Sequence, residues 1–150
     1  MSLLILGCGN EFRGDDAAGI LAARRFAKLM RDDLTIRECS GEGADLVNAW
    51  EGYENVVIID ALKGNDHESG FHLWNPVMSG LPAHWRSAST HSFGVVEAVE
   101  LARVLGRLPK HLVLVGVVGR DFTLGARISE LVSAAVDAVV DRINRVNDLK

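Results

Sequence analysis

The sequence has few cysteines, no long apolar run and no excess of basic charge. Its two cysteines, Cys8 and Cys39, are too few for a disulfide scaffold and lack the paired spacing of a structural zinc site, so we expect free thiols. No apolar stretch approaches the roughly 20 residues that cross a bilayer. The first residues lack the basic region and cleavage site of a secretory signal. We therefore expect a cytoplasmic protein without a membrane partner.

The charge distribution argues against nucleic-acid binding. The 16 Lys and Arg residues are scattered along the chain and the net charge is -4, so the basic stripe of a DNA- or RNA-binding protein is missing. The chain has 150 residues, of which 48% are hydrophobic and 24% are charged, the balance of an ordinary globular protein. We expect a single domain over residues 1–150 and no nucleic-acid partner.

Short apolar runs alternate with segments of helical periodicity. The runs that predict buried strands are residues 3–6, 56–59 and 112–118, with weaker candidates at 34–36 and 71–74. Apolar residues recur at helical spacing in residues 18–29, 46–50, 95–105 and 128–146, and Asp15 stands at the expected N-cap of the first of these helices. The pattern predicts an α/β protein: a single three-layer domain with a mostly parallel, twisted sheet and helices on both faces.

Three polar residues stand where such a sheet binds its ligands, outside the carboxyl ends of its strands. Asp16 follows the loop after the first strand, Asp60 follows the apolar run 56–59, and His91 precedes a later helix. Each also has a purely structural interpretation: a helix-capping acid, a carboxylate bonding loop amides, and a structural histidine. Together, two carboxylates and one imidazole suit a divalent ion such as nickel or zinc. We predict that the three residues meet around one metal ion.

Other kinds of site fit less well. The segment Gly7-Cys8-Gly9 begins like a dinucleotide fingerprint, but Phe12 replaces its third glycine and the acidic pair that follows would repel a phosphate, so we expect no nucleotide. No Gly-x-Ser-x-Gly elbow and no zincin motif occurs. Cys8 facing His91 as an activated nucleophile stays an alternative, beside its interpretation as a small buried residue.

The sequence resembles the hydrogenase maturation endopeptidases. The most specific block is Leu-Gly-Cys-Gly-Asn-Glu-Phe-Arg-Gly-Asp-Asp-Ala-Ala-Gly, residues 6–19. The resemblance continues through residues 59–61, 90–94 and 114–117, in the family's order and spacing. Two departures are Ala17, where a glycine is common, and the loop of residues 40–43, which lacks the family's usual threonine. The resemblance covers essentially the whole chain.

The resemblance implies both a site and a reaction. Carried over from the family, Asp16, Asp60 and His91 are the metal ligands and the catalytic residues. The implied activity is removal of a C-terminal extension from the large-subunit precursor of a nickel-iron hydrogenase, after nickel insertion. The divalent metal is then nickel supplied by the substrate, and the precursor is the protein partner. The alternative is a nickel-sensing or precursor-docking protein of the same fold that does not cleave.

Overall fold

The computed structural model describes residues 2–64, 68–78 and 94–146. Within these ranges, strands and helices alternate through most of the chain. In chain order the elements are β1 (Leu3–Cys8), a 3-10 helix (Gly14–Ala17), α1 (Ala18–Lys28), β2 (Leu34–Cys39), α2 (Gly43–Trp50), β3 (Asn55–Lys63), β4 (Phe71–Trp74), α3 (Val95–Leu105), β5 (His111–Gly119) and α4 (Glu130–Arg145).

The described strands form one five-stranded sheet in the order β2-β1-β3-β5-β4. β1 runs parallel to both β2 and β3, and β3 runs parallel to β5. Among the described strands only β4 is antiparallel, and it pairs with β5 at the edge. The apolar runs of β1, β3 and β5 are central strands buried on both faces, as a parallel sheet covered by helices requires. The predicted α/β class with a mostly parallel sheet is confirmed.

Two hydrophobic layers lie on opposite faces of the sheet. Successive residues of a strand point to opposite faces, so Ile5 packs in one layer and its neighbours Leu4 and Leu6 pack in the other. In the first layer the sheet packs against α1 and α4. Its residues include Ile5, Phe26, Val57, Val115 and Val139. In the second layer the sheet packs against α2 and α3. Its residues include Leu4, Leu46, Trp50, Ile58 and Val99. The predicted helices on both faces are therefore confirmed.

Two helix ends follow from local sequence signals. The hydroxyl of Ser129 accepts a hydrogen bond from the N–H of Val132 and caps α4. Gly106 ends α3 in the left-handed conformation, with φ of 67°, which a glycine adopts without steric cost. Serine at an N-cap and glycine after a helix end are residue types that these positions favour.

Several element boundaries differ from the sequence prediction. β1 continues to Cys8. β3 continues through Asp60 to Lys63, because β5 is long enough to pair with β3 as far as Gly119. The prediction that Asp60 ends its strand is wrong for that reason. The prediction that Asp15 caps the first helix is also wrong, since Asp15 lies inside the 3-10 helix and α1 has Ala17 at its N-cap.

Part of the predicted loops falls outside the described residues. These comprise residues 65–67 of the predicted polar turn and residues 79–93, which include the predicted ligand His91. Among the described residues, no helix is long and apolar enough to cross a membrane.

Candidate functional site

The sheet has a topological switch point between β1 and β3. From β1 the chain first adds β2 on one side, and it later adds β3 on the other side. In open α/β sheets, ligands bind in the crevice outside the carboxyl ends of two such strands. The register between β1 and β3 stops at the pair of Gly7 and Ile59. The candidate site therefore lies directly beyond these two residues.

Asp16 lies at this edge in the 3-10 helix, and it is only 3% exposed. Its Oδ2 accepts a hydrogen bond of 3.2 Å from the backbone N–H of Asn10. Gly9 permits this arrangement: its φ is 140°, and an added Cβ would lie 2.0 Å from the carbonyl oxygen of Asp16. The loop after β1 therefore folds closely around Asp16 and orients its carboxylate.

Asp60 lies in β3, one position beyond the end of the pairing with β1, and is 6% exposed. On its other side β3 remains paired, with Asp60 opposite Gly116 of β5. Its Oδ1 accepts a hydrogen bond of 2.9 Å from the N–H of Ala61. Asp60 is thus held by a continuous strand rather than by a loop, and a group on regular secondary structure is positioned more rigidly than one on a loop.

The first turn of α1 holds the two strand ends together. A Cβ added to Gly19 would lie 2.2 Å from the carbonyl oxygen of Cys8 and 2.3 Å from that of Ile59. Only a glycine allows the helix to approach both backbones so closely. Asp16 is three residues before Gly19, and Asp60 directly follows Ile59. The close approach therefore brings the two carboxylates to the same crevice.

The buried thiol of Cys8 is influenced by the charges of both Asp16 and Asp60. The pKa of the Cys8 thiol is raised well above 9.0, first by its hydrogen bond to Cys39, then by burial, then by the negative charges of Asp60 and Asp16. Both carboxylates therefore act on one buried sulfur atom. A raised pKa keeps this thiol protonated, which disfavours Cys8 as the nucleophile that attacks a peptide substrate.

The third predicted ligand, His91, lies outside the described residues. Within the part of the chain that the structure describes, no three His, Cys, Asp or Glu side chains form a group that could hold a metal ion. Two of the three predicted ligands, Asp16 and Asp60, are described, and both lie at the carboxyl edge of β1 and β3. The role of the three residues as metal ligands stays a prediction.

Asp15 has a structural role that the sequence did not reveal. It is fully buried, and its carboxylate accepts three backbone N–H bonds: from Ser129 at 2.8 Å, Arg120 at 2.9 Å and Asp121 at 3.1 Å. Burial alone would raise the pKa of Asp15, but these hydrogen bonds outweigh it and lower the pKa below 3.8. Asp15 thus ties the segment that carries Asp16 to the loop between β5 and α4.

Comparison with known proteins identifies the family. Residues 25–146 match the sequence profile of the family described as hydrogenase maturation protease. The chain belongs to the hydrogenase maturation protease family. The matched segment contains Asp60 and His91, whereas Asp16 precedes it.

Individual relatives are similar over most of the chain. The hydrogenase expression/formation protein HupD of Bradyrhizobium diazoefficiens is 31% identical over 76% of this chain, and the aligned part spans 60% of HupD. The Escherichia coli hydrogenase 2 maturation protease is 23% identical, over 95% of this chain and 88% of its own length. The chain thus matches somewhat under two thirds of HupD but most of the Escherichia coli relative.

Solved structures of the family share this fold. The NiFe hydrogenase maturation protease HybD from Thermococcus kodakarensis superposes with a TM-score of 0.77 at 28% identity, covering 99% of this chain and 100% of that one. The Escherichia coli hydrogenase maturating endopeptidase HybD superposes with a TM-score of 0.76 at 21% identity, covering 95% of this chain and 90% of that one. The five-stranded architecture is therefore that of the family.

Proposed function

We propose that this protein is an endopeptidase that removes the C-terminal extension from the large-subunit precursor of a nickel-iron hydrogenase. Membership of the hydrogenase maturation protease family supports the proteolytic activity and the hydrogenase precursor as substrate. The nickel-iron type of hydrogenase is supported by the similarity to the Thermococcus kodakarensis protease, whose name specifies it. The cytoplasmic location expected from the sequence stays a prediction.

We further propose that Asp16, Asp60 and His91 form the site that engages the nickel of the loaded precursor. The observation that supports this proposal is that two almost buried carboxylates both follow strand ends at the switch point of the sheet. Two carboxylate groups and one imidazole are a donor set that suits a borderline divalent ion. The nickel belongs to the substrate in this scheme, so the site distinguishes loaded from empty precursor.

The residues of the chain contribute orientation and charge. The N–H groups of Asn10 and Ala61 fix the carboxylates of Asp16 and Asp60. Two negative charges at a site with little exposure to water attract a cation more strongly than the same charges on an open surface. A divalent ion beside the scissile bond supplies Lewis-acid chemistry for hydrolysis.

Substitution of the predicted ligands tests this site. Asp60→Asn keeps the side-chain oxygen that accepts from Ala61 but removes the charge, and His91→Ala removes the imidazole. We expect each variant to reduce precursor processing by at least about a hundredfold, since losing one such electrostatic contact costs roughly 10²–10³ in rate. Processing is measured as the rate at which the shortened precursor appears on incubation.

A matched control is His111→Ala. His111 is the first residue of β5 and pairs with Asn55 at the amino ends of the strands, so this substitution removes an imidazole at the edge of the sheet opposite the switch point and is expected to leave processing unchanged. Normal processing by Asp60→Asn or His91→Ala would refute the proposed ligand set, while leaving the family and fold intact.

A further inference from the structure

The two cysteines lie side by side at the carboxyl ends of neighbouring strands. Cys8 is the last residue of β1, Cys39 is the last residue of β2, and the two are register partners in the parallel ladder. Neighbouring strands are about 4.8 Å apart. This spacing falls within the range of about 4.4–6.8 Å between Cα atoms that a disulfide requires. The spacing of the two strands is therefore compatible with a disulfide between these residues.

The side chains of the pair also point the same way. Both belong to the hydrophobic layer on the α2 and α3 face, with Cys8 inside it and Cys39 packed against it. Both thiols are free, and the interaction between the two side chains raises the pKa of Cys8 and lowers the pKa of Cys39. A backbone bond of 3.0 Å from the N–H of Gly9 to the carbonyl oxygen of Cys39 holds the strand ends together at this point.

The two sulfur atoms differ in their access to solvent. Cys8 is completely buried, whereas Cys39 is half-buried and lines a cavity of about 390 Å³ beside Asn10 and Ser40. A small reagent can therefore reach Cys39 through the cavity but cannot reach Cys8 directly. The hydrogen bond from Cys8 lowers the pKa of Cys39, which increases the fraction of the reactive thiolate.

We propose that Cys8 and Cys39 form a reversible thiol–disulfide modification site whose co-reactant is a low-molecular-weight disulfide. This site lies at the same carboxyl edge of the sheet as the candidate metal site, and its reaction requires no metal ion. The reacting residue is the accessible Cys39, and the resolving residue is its buried register partner Cys8. The cross-link joins the strand ends directly before the loop that orients Asp16.

The reaction consists of two exchange steps. The Cys39 thiolate attacks one sulfur of the small disulfide, forming a mixed disulfide and releasing one small thiolate, which takes up a proton. The Cys8 sulfur then attacks the Cys39 sulfur, forming the Cys8–Cys39 bond and expelling the second small thiolate, which takes up the proton that Cys8 gives up. The protein dithiol loses two electrons and two protons in total, and the small disulfide is reduced to two thiols.

The order of events follows from the unequal access of the two sulfur atoms. Cys39 lines the cavity and meets the small disulfide first, whereas the buried Cys8 can react only with the sulfur of its register partner. The second step is therefore intramolecular, which favours it over attack by a second small molecule. A reductant in excess reverses both steps, since thiol–disulfide exchange is an equilibrium.

The test is to incubate the reduced full-length protein with glutathione disulfide, alkylate the remaining thiols in denaturant, and measure the intact mass. The expected product is a monomer that is lighter than the reduced protein by two hydrogen atoms, carries no alkyl group on either cysteine, and returns to the dithiol with dithiothreitol. Its melting temperature is expected to exceed that of the reduced protein, since the cross-link constrains the unfolded chain.

Two variants assign the roles of the cysteines. Cys8→Ala is expected to stop at a stable glutathione adduct on Cys39, and Cys39→Ala is expected not to react. A wild-type protein that keeps two free thiols, accumulates a lasting adduct on Cys39, or forms a cross-linked dimer on a non-reducing gel would overturn the proposal. The wild-type result decides the question even if Cys8→Ala folds poorly.

Discussion

At the scale of single residues, the adjacent aspartates Asp15 and Asp16 have different structural roles. Asp16 faces the switch point, whereas Asp15 turns to the loop after β5 and accepts three backbone N–H bonds. The sequence shows only an acidic pair, and no local signal marks the residues more than 100 positions away that meet Asp15. The role of Asp15 could be found only once the positions of β5 and α4 were known.

Asp15→Asn tests this role. An asparagine amide places an NH₂ group where the carboxylate accepts, so at least one of the three buried N–H groups loses its partner. Hydrogen bonds to charged groups contribute roughly 1.5–3 kcal/mol each, and we expect the free energy of unfolding to fall by about that amount. Urea denaturation measures the change. The matched control is Asp32→Asn at an exposed position, which is expected to change the free energy of unfolding by no more than about 0.5 kcal/mol relative to the parent protein.

We also expect Asp15→Asn to change how stability depends on pH in acid. The pKa of Asp15 in the folded protein lies below 3.8, so its contribution to stability is fully present above that value and is lost as the pH falls through the lower, folded pKa. Asp15→Asn should therefore show a shallower loss of stability in acid than the parent protein. Urea denaturation of both proteins at several acidic pH values, with a metal chelator present, measures the slope of the free energy of unfolding against pH. Equal slopes would contradict the assigned hydrogen bonds.

Gly19 sets how closely α1 approaches the strand ends. In Gly19→Ala the new Cβ collides with the backbone oxygens of Cys8 and Ile59, neither of which is the end of a flexible side chain. We expect α1 to shift and stability to fall by roughly 1–3 kcal/mol or more. Precursor processing should fall as well, because Asp16 moves relative to Asp60.

The matched control is Gly52→Ala. Gly52 lies in the left-handed conformation, with φ of 86°, and nothing lies within 4 Å of an added Cβ. The control should lose only about 1–2 kcal/mol of stability from the left-handed conformation and retain processing. Unchanged processing by a folded Gly19→Ala would show that the helix approach does not set the site geometry.

At the scale of the elements, hydrophobic patterning predicted the order of strands and helices but not all their ends. A strand such as β1 appears as a continuous apolar run because both faces are covered. The extension of β3 past Asp60 depends on its partner β5, and a polar residue inside a strand has the same local pattern as one that ends it. Tertiary pairing decides such boundaries, so a single segment cannot reveal them.

The contact between α1 and α4 shows how two helices are joined on one face. Arg25 of α1 donates to the carbonyl oxygen of Ser133 at 2.8 Å, to its hydroxyl at 2.9 Å and to the carboxylate of Asp137 at 2.7 Å. Its planar guanidinium group reaches these acceptors at once, which the single ammonium group of a lysine does not reproduce.

We expect Arg25→Lys to lower the free energy of unfolding by about 1–2 kcal/mol, as the loss of one or two hydrogen bonds predicts. Arg24→Lys is the matched control on the same helix. Arg24 is 49% exposed and pairs with the exposed Glu11 and Glu38, and such surface ion pairs contribute at most about 1 kcal/mol. Thermal or urea unfolding that ranks Arg24→Lys as the more damaging change would contradict the role of Arg25.

At the scale of the whole molecule, the sheet topology connects the fold with the candidate site. The sequence predicted a parallel sheet, and the rule that ligands bind beyond its carboxyl edge singled out Asp16 and Asp60 before their positions were known. Strand order was not predictable from periodicity, yet it determines that β1 and β3 are neighbours and that Asp16 and Asp60 both lie at the edge beyond them. His91 lies outside the described residues, so its place in the site rests on the sequence.

The most direct test of the proposed function is the intact mass of a nickel-loaded hydrogenase large-subunit precursor before and after incubation with this protein, with nickel-free precursor as the control. We expect the loaded precursor to lose one C-terminal fragment and the nickel-free precursor to stay intact. An unchanged mass for a precursor with verified nickel content would contradict the endopeptidase assignment and favour a protein that docks the precursor without cleaving it.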